Sequence, residues 1–112
     1  MRVGITGGTG FIGKILVLRH LVAGDTVRLL SRRSIYDMAL PNSVQVFHGD
    51  LTGPVECLIP FVDGVDVLYH CAGEIRDQMK MHSVHVRGTK NLYAAANGRI
   101  GHWVQLHRLS GI

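Results

Sequence analysis

Residues 6–13 read TGGTGFIG, and this segment decides the fold of the 112-residue chain. It follows a short apolar run at 2–6 and opens a helical pattern that extends over 11–23. Glycine recurs at every third position of the segment, at Gly7, Gly10 and Gly13. A glycine motif carries structural meaning when it joins a buried strand to a helix, and this placement meets that condition.

The three glycines have separate physical roles in such a turn. Gly7 permits the tight exit from the strand, Gly10 lets a pyrophosphate approach the backbone, and Gly13 lets the helix pack closely on the sheet. The free N–H groups and the positive end of the helix then face the phosphates. The segment therefore predicts a diphosphate site, with a glycine-rich turn that binds nothing as the alternative. A P-loop is excluded because no Gly-Lys-Ser/Thr follows the turn.

The rest of the chain alternates between apolar runs of strand length and helical patterns. Further strands are predicted at 26–31, 44–48, 65–71 and 102–106. After the first helix, the patterns predict a helical turn at 34–40, a weak helix at 54–62, a loop or early turn at 74–80 and a helix at 81–97. Strands separated by helices with right-handed crossovers predict an α/β, doubly wound parallel sheet of order 3-2-1-4-5.

Composition excludes several classes of protein. The apolar fraction of 46% predicts a buried core, and no apolar run is long enough to span a bilayer. We read no signal peptide and expect a cytoplasmic protein. The net charge is +4, but the basic residues are dispersed, which predicts solvated surface charge rather than a nucleic-acid site. Scattered histidines predict no metal site, and the cysteines are expected to be reduced core residues, at Cys57 and Cys71.

Four motifs in order resemble the extended short-chain dehydrogenases/reductases, the NAD(P)-dependent epimerase/dehydratase family. They are TGGTGFIG at 6–13, HGDL at 48–51, HCAG at 70–73 and VHVRGTKNL at 84–92. The resemblance covers nearly the whole chain and implies a Rossmann domain that binds a nicotinamide dinucleotide. We therefore interpret residues 1–112 as an incomplete NAD(P)-binding domain that lacks the C-terminal substrate portion.

The resemblance implies a set of cofactor-binding residues. Asp50 would accept a hydrogen bond from the adenine amino group, Leu51 would pack on the ring, and small residues after the fourth strand would let a ribose lie against the backbone. The expected contacts around the glycine turn and the fourth strand are Gly7, Thr9, Gly10, Phe11, Ile12, Gly13, Cys71, Ala72 and Gly73.

The cofactor preference is expected to depend on the end of the second strand. An acid there binds the ribose hydroxyls of NAD, whereas an arginine accepts the 2′-phosphate of NADP. The sequence has Ser31, Arg32 and Arg33 and no acid before Asp37. This favours NADP over NAD, with surface arginines that bind nothing as the alternative.

The catalytic residues of the family are missing from the chain. Its chemistry uses a Tyr-x-x-x-Lys pair, but no lysine lies four residues after any tyrosine, whether Tyr36, Tyr69 or Tyr93. His85 stands where the family usually has asparagine, and His107-Arg108 stands where Ser-Ser is expected. We therefore expect a truncated, catalytically inactive relative of an enzyme, with an unidentified substrate and self-association through an exposed sheet edge. A redox-inert NADP sensor and a nonfunctional fragment are the alternatives.

Overall fold

The computed structural model describes residues 1–8, 11–31, 40–71 and 78–106, with the side chains in these ranges except those of Phe11 and residues 78–85. Strands and helices alternate along the described chain, with a 3₁₀ turn at Val55–Leu58. In chain order the elements are β1 (Arg2–Thr6), α1 (Phe11–Val22), β2 (Thr26–Ser31), β3 (Gln45–His48), α2 (Ile59–Val62), β4 (Val67–His70), α3 (Gln78–Ala96) and β5 (His102–Gln105).

The strands form one parallel sheet in the order β3-β2-β1-β4-β5. This confirms the predicted doubly wound α/β topology. After β3 the chain crosses back over β2 and β1, so the strand order reverses between β1 and β4. A reversal of this kind leaves a crevice at the carboxyl ends of the two strands, where open α/β sheets bind their ligands.

The predicted elements differ from the observed ones mainly at their ends. Helix α3 begins at Gln78, three residues before the helix predicted at 81–97 and inside the segment predicted as a loop or early turn at 74–80. Gln78 and Lys80 are polar, and a mostly polar first turn gives no apolar period from which a helix start can be recognised. Between β3 and β4, Pro60 lies in the first turn of α2, where its missing N–H breaks no helical bond. The helical turn predicted at 34–40 lies outside the described residues, apart from Leu40.

The sheet lies between two apolar layers. The layer on the α1 side contains Val3, Ile5, Val17, Val27, Leu29 and Val44. The layer on the opposite side, which α2 and α3 cover, contains Leu30, Leu58, Phe61, Val62, Val65, Leu68, Leu92, Ala95 and Ala96. Burial of both faces explains why the strands are short continuous apolar runs rather than alternating ones. None of the helices in the described part of the chain is both long and apolar enough to cross a membrane.

Several of the apolar residues that predicted α1 do not face the core. Ile12 is 53% exposed, Ile15 40% and Val22 89%, whereas Val17 is 2% exposed. The helix is apolar around most of its surface, so periodicity alone could not select the inward face. That face contains Gly13 and Val17, which are one turn apart, and at Gly13 the helix lies against the backbone of Gly7 and Gly8.

Two residues differ from their sequence-based interpretation. Arg28 was expected to be a solvated surface charge, but it is half-buried, and its guanidinium donates to the carbonyl oxygens of Phe61 at 3.3 Å and Asp63 at 2.7 Å. A cation at this place compensates the free carbonyl groups at the end of α2. Cys57 was expected in the core but is exposed, while Cys71 is half-buried, and both are free thiols.

Candidate dinucleotide site

The parallel register brings the carboxyl ends of four strands to one edge of the sheet. Thr6 of β1 pairs with Leu30 of β2 on one side and with His70 of β4 on the other. Ser31 pairs with His48, the last residue of β3. The residues at and after these positions, Gly7, Ser31, Asp50 and Cys71, therefore follow aligned strand ends. The sequence predicted each of them separately, and the fold places them along a single edge.

The glycine turn is built by close backbone packing. Gly7 has a φ of 69°, a left-handed conformation that glycine adopts without strain. A Cβ on Gly13 would lie 2.2 Å from the carbonyl oxygen of Gly7 and 2.7 Å from the Cα of Gly8. The start of α1 therefore rests directly on the backbone that leaves β1. The close contact is with the turn itself rather than with the body of the sheet, which refines the role expected for Gly13.

Gly8 is a second glycine that the turn requires, and the sequence analysis gave it no role. It is buried, and a Cβ there would lie 2.2 Å from Cδ2 of Leu29 on β2. Leu29 itself is 1% exposed and belongs to the core on the α1 side. One glycine is enough for a tight turn. The second glycine of the adjacent pair after the strand was therefore the signal in the sequence that Gly8 has a role of its own.

The segment after β3 forms a compact turn at the same edge. Oδ1 of Asp50 accepts hydrogen bonds from the amide of Thr52 at 2.9 Å and from its hydroxyl at 2.8 Å. The amide of Gly53 donates to the carbonyl oxygen of Asp50 at 3.0 Å. These are the bonds of an Asx turn, which holds the exposed Asp50 in one orientation. Leu51 is half-buried against the core on the α3 side.

A buried histidine lies under the carboxyl ends of β1 and β4, and sequence reasoning missed it as a site residue. His70 is fully buried. Its Nδ1 lies 2.6 Å from Oγ1 of Thr6, and its Nε2 lies 2.9 Å from Oγ1 of Thr89 on α3. Oγ1 of Thr6 also accepts a hydrogen bond from the amide of Cys71 at 3.1 Å. The ring thus joins the strand that enters the glycine turn to helix α3. The signal was a histidine inside an apolar strand.

Other residues predicted for the site are described only in part. Ile12 is exposed on the first turn of α1, where the backbone of Phe11 begins the helix. Ser31 is half-buried, and its carbonyl oxygen accepts from the amide of Gly49 at 2.9 Å. The remaining residues lie outside the described ranges, and they are Thr9, Gly10, Arg32, Arg33, Ala72 and Gly73.

Residues 3–110 match the NAD dependent epimerase/dehydratase family. The chain belongs to this family. Membership makes it an NAD(P)-binding domain of the oxidoreductase type, in agreement with the glycine turn at the crevice of a doubly wound sheet.

The chain is similar to several relatives within this family and fold. It is 36% identical over 104 residues to a 3 beta-hydroxysteroid dehydrogenase/Delta 5-->4-isomerase of Mycobacterium tuberculosis, an alignment covering 84% of the chain and 28% of that protein. It is 35% identical over 98 residues to a 2-alkyl-3-oxoalkanoate reductase of Stenotrophomonas maltophilia, covering 85% and 29%. The chain therefore spans less than a third of these relatives.

Solved structures show the same architecture with a dinucleotide in place. The UDP-glucose 4-epimerase of Thermus thermophilus, solved as a complex with NAD, superimposes with a TM-score of 0.66 at 28% sequence identity. The superposition covers 85% of this chain and 33% of that protein. The structural likeness is thus to about a third of a longer protein.

The two tyrosines in the described part of the chain, on β4 and α3, contact other side chains. The hydroxyl of Tyr69 on β4 lies 3.1 Å from Nε2 of His20 on α1, and Nδ1 of His20 lies 2.8 Å from Oδ2 of Asp25. This cluster lies on the α1 side of the sheet and ties that helix to β4. Tyr93 on α3 is 65% exposed and contacts Trp103 edge to face. Within the described ranges, no group of three potential metal ligands comes together.

Burial suppresses the reactivity of the thiol at the end of β4. Removal from water disfavours the thiolate, which raises the pKa of Cys71 to about 11. At pH 8 only about one Cys71 thiol in a thousand is then ionised. Cys57 is exposed. We expect iodoacetamide to alkylate Cys57 first, and the rate at Cys71 to keep rising with pH up to about 11.

Peptide mass spectrometry of samples quenched over time measures both rates. Unfolding the chain in urea is the control, because it exposes both thiols and should remove the difference. Equal alkylation rates in the folded chain at pH 8 would contradict the burial of Cys71.

Proposed function

We propose that this chain is the cofactor-binding part of an NADP-preferring oxidoreductase that interconverts a secondary alcohol and a ketone. The observation that carries the proposal is the glycine turn, where α1 rests on the backbone of Gly7 and Gly8 at the carboxyl end of β1. Backbone N–H groups at the start of a helix form a site for a diphosphate. The reaction class comes from the names of the relatives, a hydroxysteroid dehydrogenase and an oxoalkanoate reductase.

The preference for NADP is supported by the residues at the end of β2. Ser31 ends the strand next to the crevice, and Arg32 and Arg33 follow it in the sequence. An arginine can bind the two terminal oxygens of a 2′-phosphate with two parallel hydrogen bonds. A carboxylate at the same place would instead repel the phosphate and accept bonds from the ribose hydroxyls.

Titration calorimetry with NADP⁺ and NAD⁺ at fixed ionic strength tests this proposal. We expect NADP⁺ to bind about tenfold to a hundredfold more tightly, the range given by one or two charge-assisted hydrogen bonds. Arg32→Ala and Arg33→Ala, tested separately, are expected to lower the affinity for NADP⁺ and leave that for NAD⁺ nearly unchanged. Arg19→Ala is the matched control, because this arginine is exposed on α1 and the variant loses the same charge.

The proposal fails if the folded chain binds neither dinucleotide. Equal affinity for the two dinucleotides would retain the dinucleotide site but refute the preference for NADP.

A second function, a redox-inert NADP sensor, is favoured by one sequence observation. His85 stands where the family usually has an asparagine that supports the active site. A sensor binds NADP(H) and does not transfer hydride to or from any alcohol or ketone. Tight binding together with undetectable oxidation or reduction over a panel of secondary alcohols and ketones would favour the sensor.

A further inference from the structure

Helix α3 contacts the turn at Asp50–Gly53 (the adenine-side turn), and the contact is made by a side chain to which the sequence analysis assigned no role. Nδ2 of Asn91 donates to the carbonyl oxygen of Leu51 at 2.8 Å and to that of Gly53 at 3.3 Å. One turn earlier on the same helix, a Cβ on Gly88 would lie 2.9 Å from the Cβ of Leu51. The helix therefore approaches this turn closely, and Asn91 joins it at two points.

The adenine-side turn has its own hydrogen bonds, but they do not determine where it lies. The bonds of Thr52 and Gly53 to Asp50 fix the local shape of the turn. The preceding strand, β3, has four residues and pairs only with β2 within the described sheet. A short strand at this position leaves the segment after it weakly constrained. The bonds from Asn91 supply an attachment to a longer and better packed element.

We propose that Asn91 is a positioning residue that holds the adenine-side turn in place for the adenosine end of the dinucleotide. Gly88 allows the required approach, because any side chain there would push Leu51 away from the helix. Asn91 acts through the carbonyl oxygens of Leu51 and Gly53 and does not touch the ligand. This inference rests on the proposed function, since it assumes that the edge of the sheet binds a dinucleotide.

The test compares two variants that change the side chain in different ways. Asn91→Ala removes the whole amide, and Asn91→Asp keeps its size but removes both N–H donors. Asn97→Ala is the matched control, because Asn97 is exposed just after α3 and makes the same truncation. Calorimetry and NMR titration measure binding of two probes to each folded variant. Adenosine 5′-diphosphate reaches both the glycine turn and the adenine-side turn, whereas inorganic pyrophosphate reaches only the glycine turn.

We expect both Asn91 variants to bind adenosine 5′-diphosphate about tenfold more weakly than the unmodified chain. A tenfold loss corresponds to the net contribution of one hydrogen bond, here the attachment of the adenine-side turn to α3. The response of both variants to pyrophosphate, read from the amide resonances of Gly7 and Gly8, should stay within about twofold of the unmodified chain, because the side-chain hydrogen bonds described for Asn91 go to the adenine-side turn. Asn97→Ala should match the unmodified chain for both probes.

Three results would overturn the inference. The first is unchanged binding of adenosine 5′-diphosphate by the Asn91 variants, and the second is an equal loss for both probes, which indicates general destabilisation. The third comes from the unmodified chain and so does not depend on whether a variant folds. In that chain, adenosine 5′-diphosphate should shift the side-chain NH₂ resonances of Asn91 but not those of Asn97. The absence of that shift refutes the role of Asn91. An unmodified chain that binds no dinucleotide refutes the proposed function itself.

Discussion

Replacing Gly13 with alanine should lower the free energy of unfolding by about 3 kcal/mol and abolish dinucleotide binding. The added Cβ would lie 2.2 Å from the carbonyl oxygen of Gly7 and 2.7 Å from the Cα of Gly8. Both contacts are with backbone, which cannot rotate away as a side chain can. The helix must therefore move away from the turn, and the N–H groups at its start move with it. Urea denaturation and calorimetric titration with NADP⁺ measure the two effects.

Gly24→Ala is the control for this prediction. Gly24 has a φ of +85° and nothing within 4 Å of an added Cβ, so the variant strains one backbone torsion without a collision. A residue with a side chain in this conformation costs about 1 kcal/mol, and the position lies at the opposite end of α1 from the glycine turn. The expected result is a modest loss of stability with normal binding. A Gly13→Ala chain as stable as Gly24→Ala would show that the turn is not packed as described.

Replacing His70 with leucine should lower the free energy of unfolding by about 2–4 kcal/mol. Leucine fills much of the same volume but removes the ring nitrogens that lie 2.6 Å from Oγ1 of Thr6 and 2.9 Å from Oγ1 of Thr89. Polar groups that lose a partner in a buried site keep the cost of their desolvation. Because Thr6 leads into the glycine turn, binding of NADP⁺ should weaken as well. Urea denaturation at pH 7 gives the stability change.

Two further variants separate the two hydrogen bonds of His70. The side-chain amide of asparagine can take the place of Nδ1 in the hydrogen bond to Thr6. The longer side chain of glutamine can take the place of Nε2 in the hydrogen bond to Thr89. His70→Asn should therefore retain most of the dinucleotide affinity, and His70→Gln should retain stability better than affinity. The single tryptophan, Trp103, reports local packing by fluorescence, since its ring centroid lies 5.7 Å from that of His70.

His102→Leu is the matched control, because this histidine is exposed on β5 and its replacement should change stability by less than about 0.5 kcal/mol. Similar losses for His70→Leu and His102→Leu would contradict the role assigned to the buried ring.

Prediction from sequence worked best where the physics is local. The ends of β1 and β2 could be predicted because a glycine pair follows the first strand and polar residues follow the second. Gly7 adopts the positive φ that such a turn uses. The inward face of α1 was not predictable in the same way. Its apolar residues surround the helix, and the tertiary structure buries Val17, on the same face as Gly13, while it leaves Val22 89% exposed.

The sequence by itself determined the order of strands and helices along the chain, the glycine turn and membership of the epimerase/dehydratase family. Each of these depends on short motifs or patterns of residues that lie close together in the chain. Only the tertiary structure decided which distant residues support the site. His70 meets Thr6 and Thr89, and Asn91 meets Leu51, across 64, 19 and 40 positions of sequence. Such pairs form because parallel register and helix packing bring separate segments together, and no short-range pattern records them.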